Sequence, residues 1–416
     1  MKAFFIERNF LILLSGVFIN GIGGGVYAVS GMLLVLHLSG SVLYSGFAFF
    51  AVSLANAMGF LVAPLANYFK YKNGLVICGF LKAALLFTIP LCYITVGLNV
   101  YYVIFLLFTI SLLSQFTYPI ESTILPIIVG KDNIIQANSY LQTVREAMDV
   151  VFVAGAGILV AFIGSVQAIL ITAICMLLSA LAYTLFNFQQ PEESKDKQSV
   201  GNVLDVYKSD LKAGIGYIRY SLIPKMIVSI IFINLAMGVM TTNLPAFALI
   251  KGGSEATYGF YMAALSLGIM IGTIMTSKIK EIGFGRLTII SFSGTGVLWM
   301  GTALLPVIPS LILFCLGAIS IGIINILIFS AVQQQVETLF IGRVITVLSS
   351  AASIGIPFGA LAGGVIGETF TPVVPVFICG IAMCVFSFSW LSSSVLRKLP
   401  KIDEAKLFPA KQVEEV

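Results

Sequence analysis

Charge is what this sequence lacks. Only 10% of its 416 residues are Asp, Glu, Lys or Arg, against roughly 25% in a typical soluble domain, while 59% are apolar. A water-soluble chain of this size needs charge to keep its surface wet. A cytosolic enzyme, a disordered chain and a secreted disulfide scaffold are therefore excluded. Histidine is nearly missing too: His37 stands alone, so the chain can build neither a His-based metal triad nor a Ser-His relay. No metal and no cofactor are expected. Cys78, Cys92, Cys175, Cys315, Cys379 and Cys384 lie inside apolar runs without metal-ligand spacing and read as small buried hydrophobes. HExxH and GxSxG patterns do not occur, so no enzyme activity is expected. A Walker motif is also missing, which argues against ATP-driven pumping by this chain. The glycine run Gly21, Gly23, Gly24, Gly25 has no Lys-Ser/Thr after it and sits in an apolar stretch. It is expected to serve close packing or local flexibility rather than phosphate binding.

What the sequence has is long apolar runs, broken by Gly, Pro and charge. They predict helical spans at 9–36, 42–66, 74–96, 101–129, 140–163, 166–188, 224–250, 257–277, 287–306, 309–332, 343–367 and 372–396. Each is long enough for the ~20 residues that a membrane helix needs, and the period-2 alternation of a β-barrel is missing. The first run carries no convincing cleavage site after it and reads as an uncleaved first span. With the N-terminus placed inside, all 23 basic residues except Lys82 and Lys251 fall on the cytoplasmic side or its tails, as the positive-inside rule requires. One helix more or fewer would place a block of them outside.

The expected organisation is an N-terminal six-helix bundle (1–188), a cytoplasmic linker (189–222), a C-terminal six-helix bundle (223–396) and a cytoplasmic tail (397–416). Within the linker, Val203, Val206, Tyr207, Leu211 and Ile218 approximate an apolar stripe with Asp205, Lys208, Asp210 and Lys212 outside it. That pattern predicts an amphipathic helix on the inner leaflet, or a plain tether between the halves. The net charge of +5 follows from the inside bias and an anionic lipid surface, with no nucleic-acid partner. The loops are too short for the soluble output domain of a sensor.

An ionisable group in hydrocarbon costs about 2.5–3.5 kcal/mol on insertion scales, so the few present are the first functional candidates. Glu121 lies in the fourth span, roughly 12 Å of helix rise from its inner end. Lys82 lies in the third span, and Arg145 and Asp149 enter the fifth. Glu121 reads either as a proton carrier, because protonation removes most of its burial cost, or as a static ion pair with Lys82 or Arg145. Arg145 and Asp149 have the spacing of an intrahelical pair. Asn20, Tyr27, Asn56, Gln115, Tyr118, Gln142, Asn234, Asn243 and Asn325 are candidates for a substrate cavity; each could equally hold helices together.

The two halves carry a repeat. The second loop reads Ala63, Leu65, Asn67, Lys70 and Lys72, and the eighth reads Ser277, Ile279, Glu281 and Arg286. Each orders a small residue, an aliphatic, an amide or acid, and a base at the same spacing. Here the chain resembles the major facilitator superfamily, whose hallmark is a Gly-x-Leu-Ala-Asp-Arg-x-Gly-Arg-Arg loop. Leu65, Ala66 and Lys72 match it, while Asn67, Tyr68 and Lys70 replace the acid, the first Arg and the second Gly. The copy with Glu281 and Arg286 is then the expected place for a charge latch. Two more stretches resemble the macrolide-efflux and siderophore-exporter branch. One holds Pro119, Leu125, Pro126, Lys131, Asp132, Ala137, Asn138 and Arg145. The other holds Gly342, Arg343, Val344, Gly355, Pro357, Gly359, Gly363 and Gly364. Gly355, Gly359 and Gly363 share one helix face and admit a close neighbour, and Pro357 permits a bend.

The resemblance implies an all-α fold of twelve transmembrane helices in two halves working by alternating access. It further implies a monomer of the cell membrane that moves protons against a small-molecule cargo: efflux of an amphipathic drug, siderophore or peptide antibiotic. Uptake, or movement of lipid between leaflets, is the alternative, because direction is not written in the residues.

Overall fold

The computed structural model describes residues 7–59, 70–130, 137, 140–141, 144–145, 147–187, 209, 212, 215, 222–279, 281–336, 338–402 and 404. Among these every regular element is helical. In chain order they are α1 (Arg8–Ser39), α2 (Val42–Ala57), α3 (Tyr71–Thr95) and α4 (Val100–Val129). A single π turn, Asp149–Val153, leads into α5 (Ala154–Ile163), followed by α6 (Ser165–Thr184). Then come α7 (Ile223–Gly252), α8 (Glu255–Ile279), α9 (Phe284–Leu304), α10 (Val307–Gln335), α11 (Thr338–Thr369), α12 (Val373–Ser392) and the short α13 (Ser394–Arg397). Helices α1 to α12 fall on the twelve expected spans. Among the described residues nine helices are long and apolar enough to cross a membrane, and Val42–Ala57 and Val151–Ile163 are shorter apolar helices. The stripe expected in the linker lies outside the described residues.

Helical hairpins suit an apolar solvent because every backbone group is bonded within its own segment. The reversals are short. Gly40 ends α1 in the left-handed region (φ 63) with its N–H on the Leu36 carbonyl at 2.8 Å, a conformation glycine adopts without a Cβ clash. Ser41 then caps α2 by accepting from the Leu43 N–H.

The chain divides into two compact units: Met1–Gln198 with Ala248–Ala263, and Ser199–Phe247 with Ala264–Val416. Lipid supplies no hydrophobic drive between helices, so contact depends on small residues and polar ties. In the first unit the glycine run of α1 shows this. A Cβ on Gly21 would meet Met148, one on Gly23 would meet Cys175 and Met176, and one on Gly25 would meet the Phe152–Val153 backbone of the π turn. The run is therefore a packing surface for the π turn and α6, within a continuous helix.

The second unit is stitched the same way. Gly268 and Gly272 of α8 face the Cys315 and Ile319 carbonyls of α10, and Gly322 of α10 faces Ile269 in return. Gly296 of α9 lies against Gly380 of α12. Aromatic pairs fill the wider gaps: Trp299 stacks on Phe314 at 5.5 Å and Phe284 meets Trp390 edge-on at 5.8 Å. The residues after α13 fold back on this unit. Carbonyls of Pro400 and Leu399 accept the Phe284 and Gly285 N–H groups at 2.8 and 3.3 Å, and the Ile402 carbonyl accepts from Gln335 Nε2 at 3.0 Å. They satisfy donors that the first turn of α9 leaves open.

Candidate functional site

Two apolar cores of the first unit bracket a polar belt. One core joins Phe10, Leu13, Val17, Leu75, Ile124 and Phe186. The other joins Val35, Leu86, Ile89, Val103, Leu107 and Ile169. Between them each helix places its polar residues: Asn20 and Tyr27 on α1, Lys82 on α3, Ser111, Gln115 and Thr117 on α4, and Ser179 on α6. Buried polar groups need partners, and the belt supplies many of them.

Glu121 is at the centre, 1% exposed. Its Oε2 accepts from Arg145 Nη2 at 2.5 Å and its Oε1 accepts from the Tyr183 hydroxyl at 2.7 Å. Of the two ion-pair partners open to Glu121 in the sequence, the structure joins it to Arg145. Lys82 is buried beside them and feels the Glu121 charge without bonding to it. Asp149 opens the π turn one helical turn after Arg145, a turn type that recurs at functional sites. Tyr118 lies on α4. A small cavity, with room for about one water-sized particle, lies beside the pair, lined by Asn20, Leu75, Gly79, Lys82, Thr117, Met176, Ser179 and Tyr183.

A second polar tie crosses the same belt. Tyr27 donates to the Leu107 carbonyl at 2.8 Å and lies 3.3 Å from Ser111 Oγ, and Gln115 Nε2 donates to Asn56 Oδ1 at 2.8 Å. These bonds link α1 and α2 to α4. Elsewhere in the unit His37 Nε2 lies 3.2 Å from Glu255 Oε1, and a Cβ on Gly157 would meet the Gly259 backbone. The hairpin Ala248–Ala263 is held to α1 and α5 in this way.

In the second unit Gly355, Gly359 and Gly363 of α11 lie against Ile231, Leu235 and Val239 of α7, and Gly238 of α7 lies against Ile356 and Ala360 in return. Pro357 sits within this seam, inside α11. Asn243, fully buried, donates to the Val239 and Gly363 carbonyls at 2.9 and 2.8 Å, so it ties α7 to α11. Asn234 bonds the Ile230 carbonyl of its own helix at 3.0 Å, and Asn325 is exposed on α10.

Of the loop motif, Asn67 lies outside the described residues, as does Gln142 of α5's approach. Lys70 is the exposed residue preceding α3, and Lys72 donates to the Phe186 carbonyl at 2.7 Å, just past the end of α6, where a cation suits the helix dipole. Glu281 pairs with Lys401 Nζ at 2.5 Å, and Arg286 is exposed. Sequence reading missed Tyr183, Thr117 and Ser179. A tyrosine near the end of an apolar span was the available signal, since a buried phenol needs an acceptor.

The Major Facilitator Superfamily model matches residues 13–348. An uncharacterized MFS-type transporter of Bacillus subtilis, YvqJ, is 23% identical over 412 residues, covering 96% of each chain. Among solved structures, the nucleoside transporter NupG superposes with a TM-score of 0.70 at 13% identity, covering 94% of this chain and 99% of that one. The POT family transporter PepTSo gives 0.66 at 12% identity, covering 92% and 97%. A bacterial homolog of the human lysosomal transporter Spinster gives 0.64 at 12%, covering 93% of each. With its all-helical fold, apolar spans and match over most of its length, this chain belongs to the Major Facilitator Superfamily of membrane transporters.

Proposed function

We propose that this protein is a proton-coupled secondary transporter that exports an amphipathic small molecule, such as a drug, siderophore or peptide antibiotic, from the cell. In this reading it works as a monomer in the cell membrane, with both termini in the cytoplasm. Export follows from the likeness of the Pro119–Asp149 and Gln333–Glu368 stretches to the macrolide-efflux branch. The observation that carries proton coupling is the Glu121 carboxylate, 1% exposed and held by Arg145 and Tyr183. Protonation neutralises the Glu121 carboxylate and weakens its hold on Arg145. Arg145 is one turn from the π turn that packs on Gly25 of α1. A proton at Glu121 is thereby converted into a change of packing between α1, α4 and α5. Lys82 and Asp149 flank this path.

The test is a flux panel in proteoliposomes with an imposed pH gradient, run on the wild type and on Glu121→Gln. Gradient-driven export of an amphipathic cargo in the wild type is expected, with Glu121→Gln limited to exchange without accumulation. Gradient-driven transport that survives in Glu121→Gln would remove Glu121 from the coupling role. Inward accumulation would overturn export.

A further inference from the structure

The cavity of the polar belt contains donors that go unused. Lys82 is 3% exposed and Thr117 7%, and both line the same small cavity. Among the described residues the Lys82 ammonium makes no hydrogen bond, and the Thr117 hydroxyl is buried without a partner. Helical hydroxyls nearby behave otherwise: Ser30, Thr109 and Ser114 each donate to the carbonyl four residues back. The Asn20 amide also faces the cavity and makes no hydrogen bond among the described residues. The remaining polar walls are already committed as donors, Ser179 to the Gly16 carbonyl at 3.0 Å and Tyr183 to Glu121.

Three side chains on three helices thus turn unused donors to one space. Charge is unbalanced in the same sense. Each oxygen of Glu121 already accepts a bond, from Arg145 and from Tyr183, and among the described side chains no anion is bonded to Lys82. A buried charge without a counter-charge is costly, and one hydrogen-bonded to an opposite charge much less so. Water would satisfy the donors and leave the charge. The free space admits about one particle of water's size, which excludes the amphipathic cargo, and Leu75, Gly79 and Met176 wall the rest.

We propose that this cavity, between α1, α3, α4 and α6, is a binding site for a small inorganic anion of halide size, held by Lys82, Thr117 and Asn20. The site is separate from the cargo and does not depend on the direction of transport. Its occupant neutralises Lys82 and locks α3 to α1 and α4 beside the Glu121–Arg145 pair.

The test uses the purified full chain in detergent, with chloride as the probe. Thermal unfolding is followed in sodium gluconate, an anion too large for the cavity, while chloride replaces it at constant ionic strength. The expected result is a saturable rise of roughly 2–4 °C in the midpoint. Lys82→Met keeps the length of the side chain and should abolish the response. Thr117→Val should raise the half-saturating chloride by about tenfold, the weight of one hydrogen bond to an ion. Crystals soaked in bromide should show an anomalous peak next to Lys82 Nζ. Equal midpoints in chloride and gluconate, a response unchanged in Lys82→Met, or a water without anomalous signal in the cavity would each overturn the proposal. If Lys82→Met does not fold, unchanged half-saturation in Thr117→Val overturns it as well.

Discussion

Arg145 and Glu121, 24 residues apart in the chain, meet at 2.5 Å with the carboxylate 1% exposed and the guanidinium side chain 27% exposed. Removing one partner of such a pair leaves a buried charge alone, at a cost of about 3–5 kcal/mol, whereas removing both is far milder. Arg145→Met should therefore destabilise the protein by about that amount, and Glu121→Gln combined with Arg145→Met should recover much of it. Thermal unfolding of the two variants in detergent checks the difference. Equal losses in the single and the double variant would show that the pair is not coupled.

Tyr183 gives the same carboxylate its second hydrogen bond, at 2.7 Å. A bond to a charged group contributes about 1.5–3 kcal/mol, so Tyr183→Phe should lower stability by that order in the wild-type background. In Glu121→Gln, where the acceptor is neutral, the same change should cost about 1 kcal/mol. A double-mutant cycle read by thermal unfolding measures the gap.

The α7–α11 seam has no room for side chains. Even a Cβ on Gly359 overlaps the Leu235 carbonyl, and overpacking costs about 1–3 kcal/mol at a tight site. Gly359→Ala should destabilise by that order. Gly359→Leu should insert in the membrane and abolish flux. Membrane fractionation alongside proteoliposome transport checks both, and normal flux in the leucine variant would show that the seam does not govern turnover.

The segment after α13 should be held by its backbone, not by its ion pair. Gly285 packs against the carbonyls of Leu396 and Arg397 in α13, so Gly285→Val should displace α13 with the segment after it, expose the first N–H groups of α9 and cost about 1–3 kcal/mol. Lys401 and Glu281 are 43% and 65% exposed, and Lys401→Ala should change stability by less than about 1 kcal/mol. Thermal midpoints rank the two variants.

Orientation has its own test. In a background without the six native cysteines, Ser254→Cys in the α7–α8 turn should react with an impermeant maleimide added to intact cells. Arg397→Cys should react only after the membrane is opened. The reverse pattern would invert the topology.

Much of the fold was legible in the sequence because hydrocarbon imposes a one-dimensional rule. Each crossing needs a long apolar run with its backbone bonds inside it, so the positions of α1 to α12 could be read from runs such as 9–36 and 372–396. The site was legible only by residue type. Glu121, Lys82 and Arg145 stood out because charge is rare in these spans. Which of them pair was not readable, since Lys82 and Arg145 are both plausible cations for Glu121. Asn243 and Asn20 illustrate the same gap: both are amides within spans, yet one ties α7 to α11 and the other faces a cavity. The face an amide presents depends on helix rotation, which the even apolarity of a membrane span does not encode.

The scarcity of charge determined by itself that this chain lives in a membrane, and the apolar runs determined its helices. Both are local properties, set by what each segment must do in lipid. Tertiary structure alone decided that Glu121 belongs to Arg145 and Tyr183, that Lys82 and Thr117 share a cavity with unused donors, and that Gly355, Gly359 and Gly363 are covered by α7. Those outcomes arise from residues far apart in the chain meeting at fixed distances, and pairing at 2.5 to 3 Å is a property of packed helices, not of any one run.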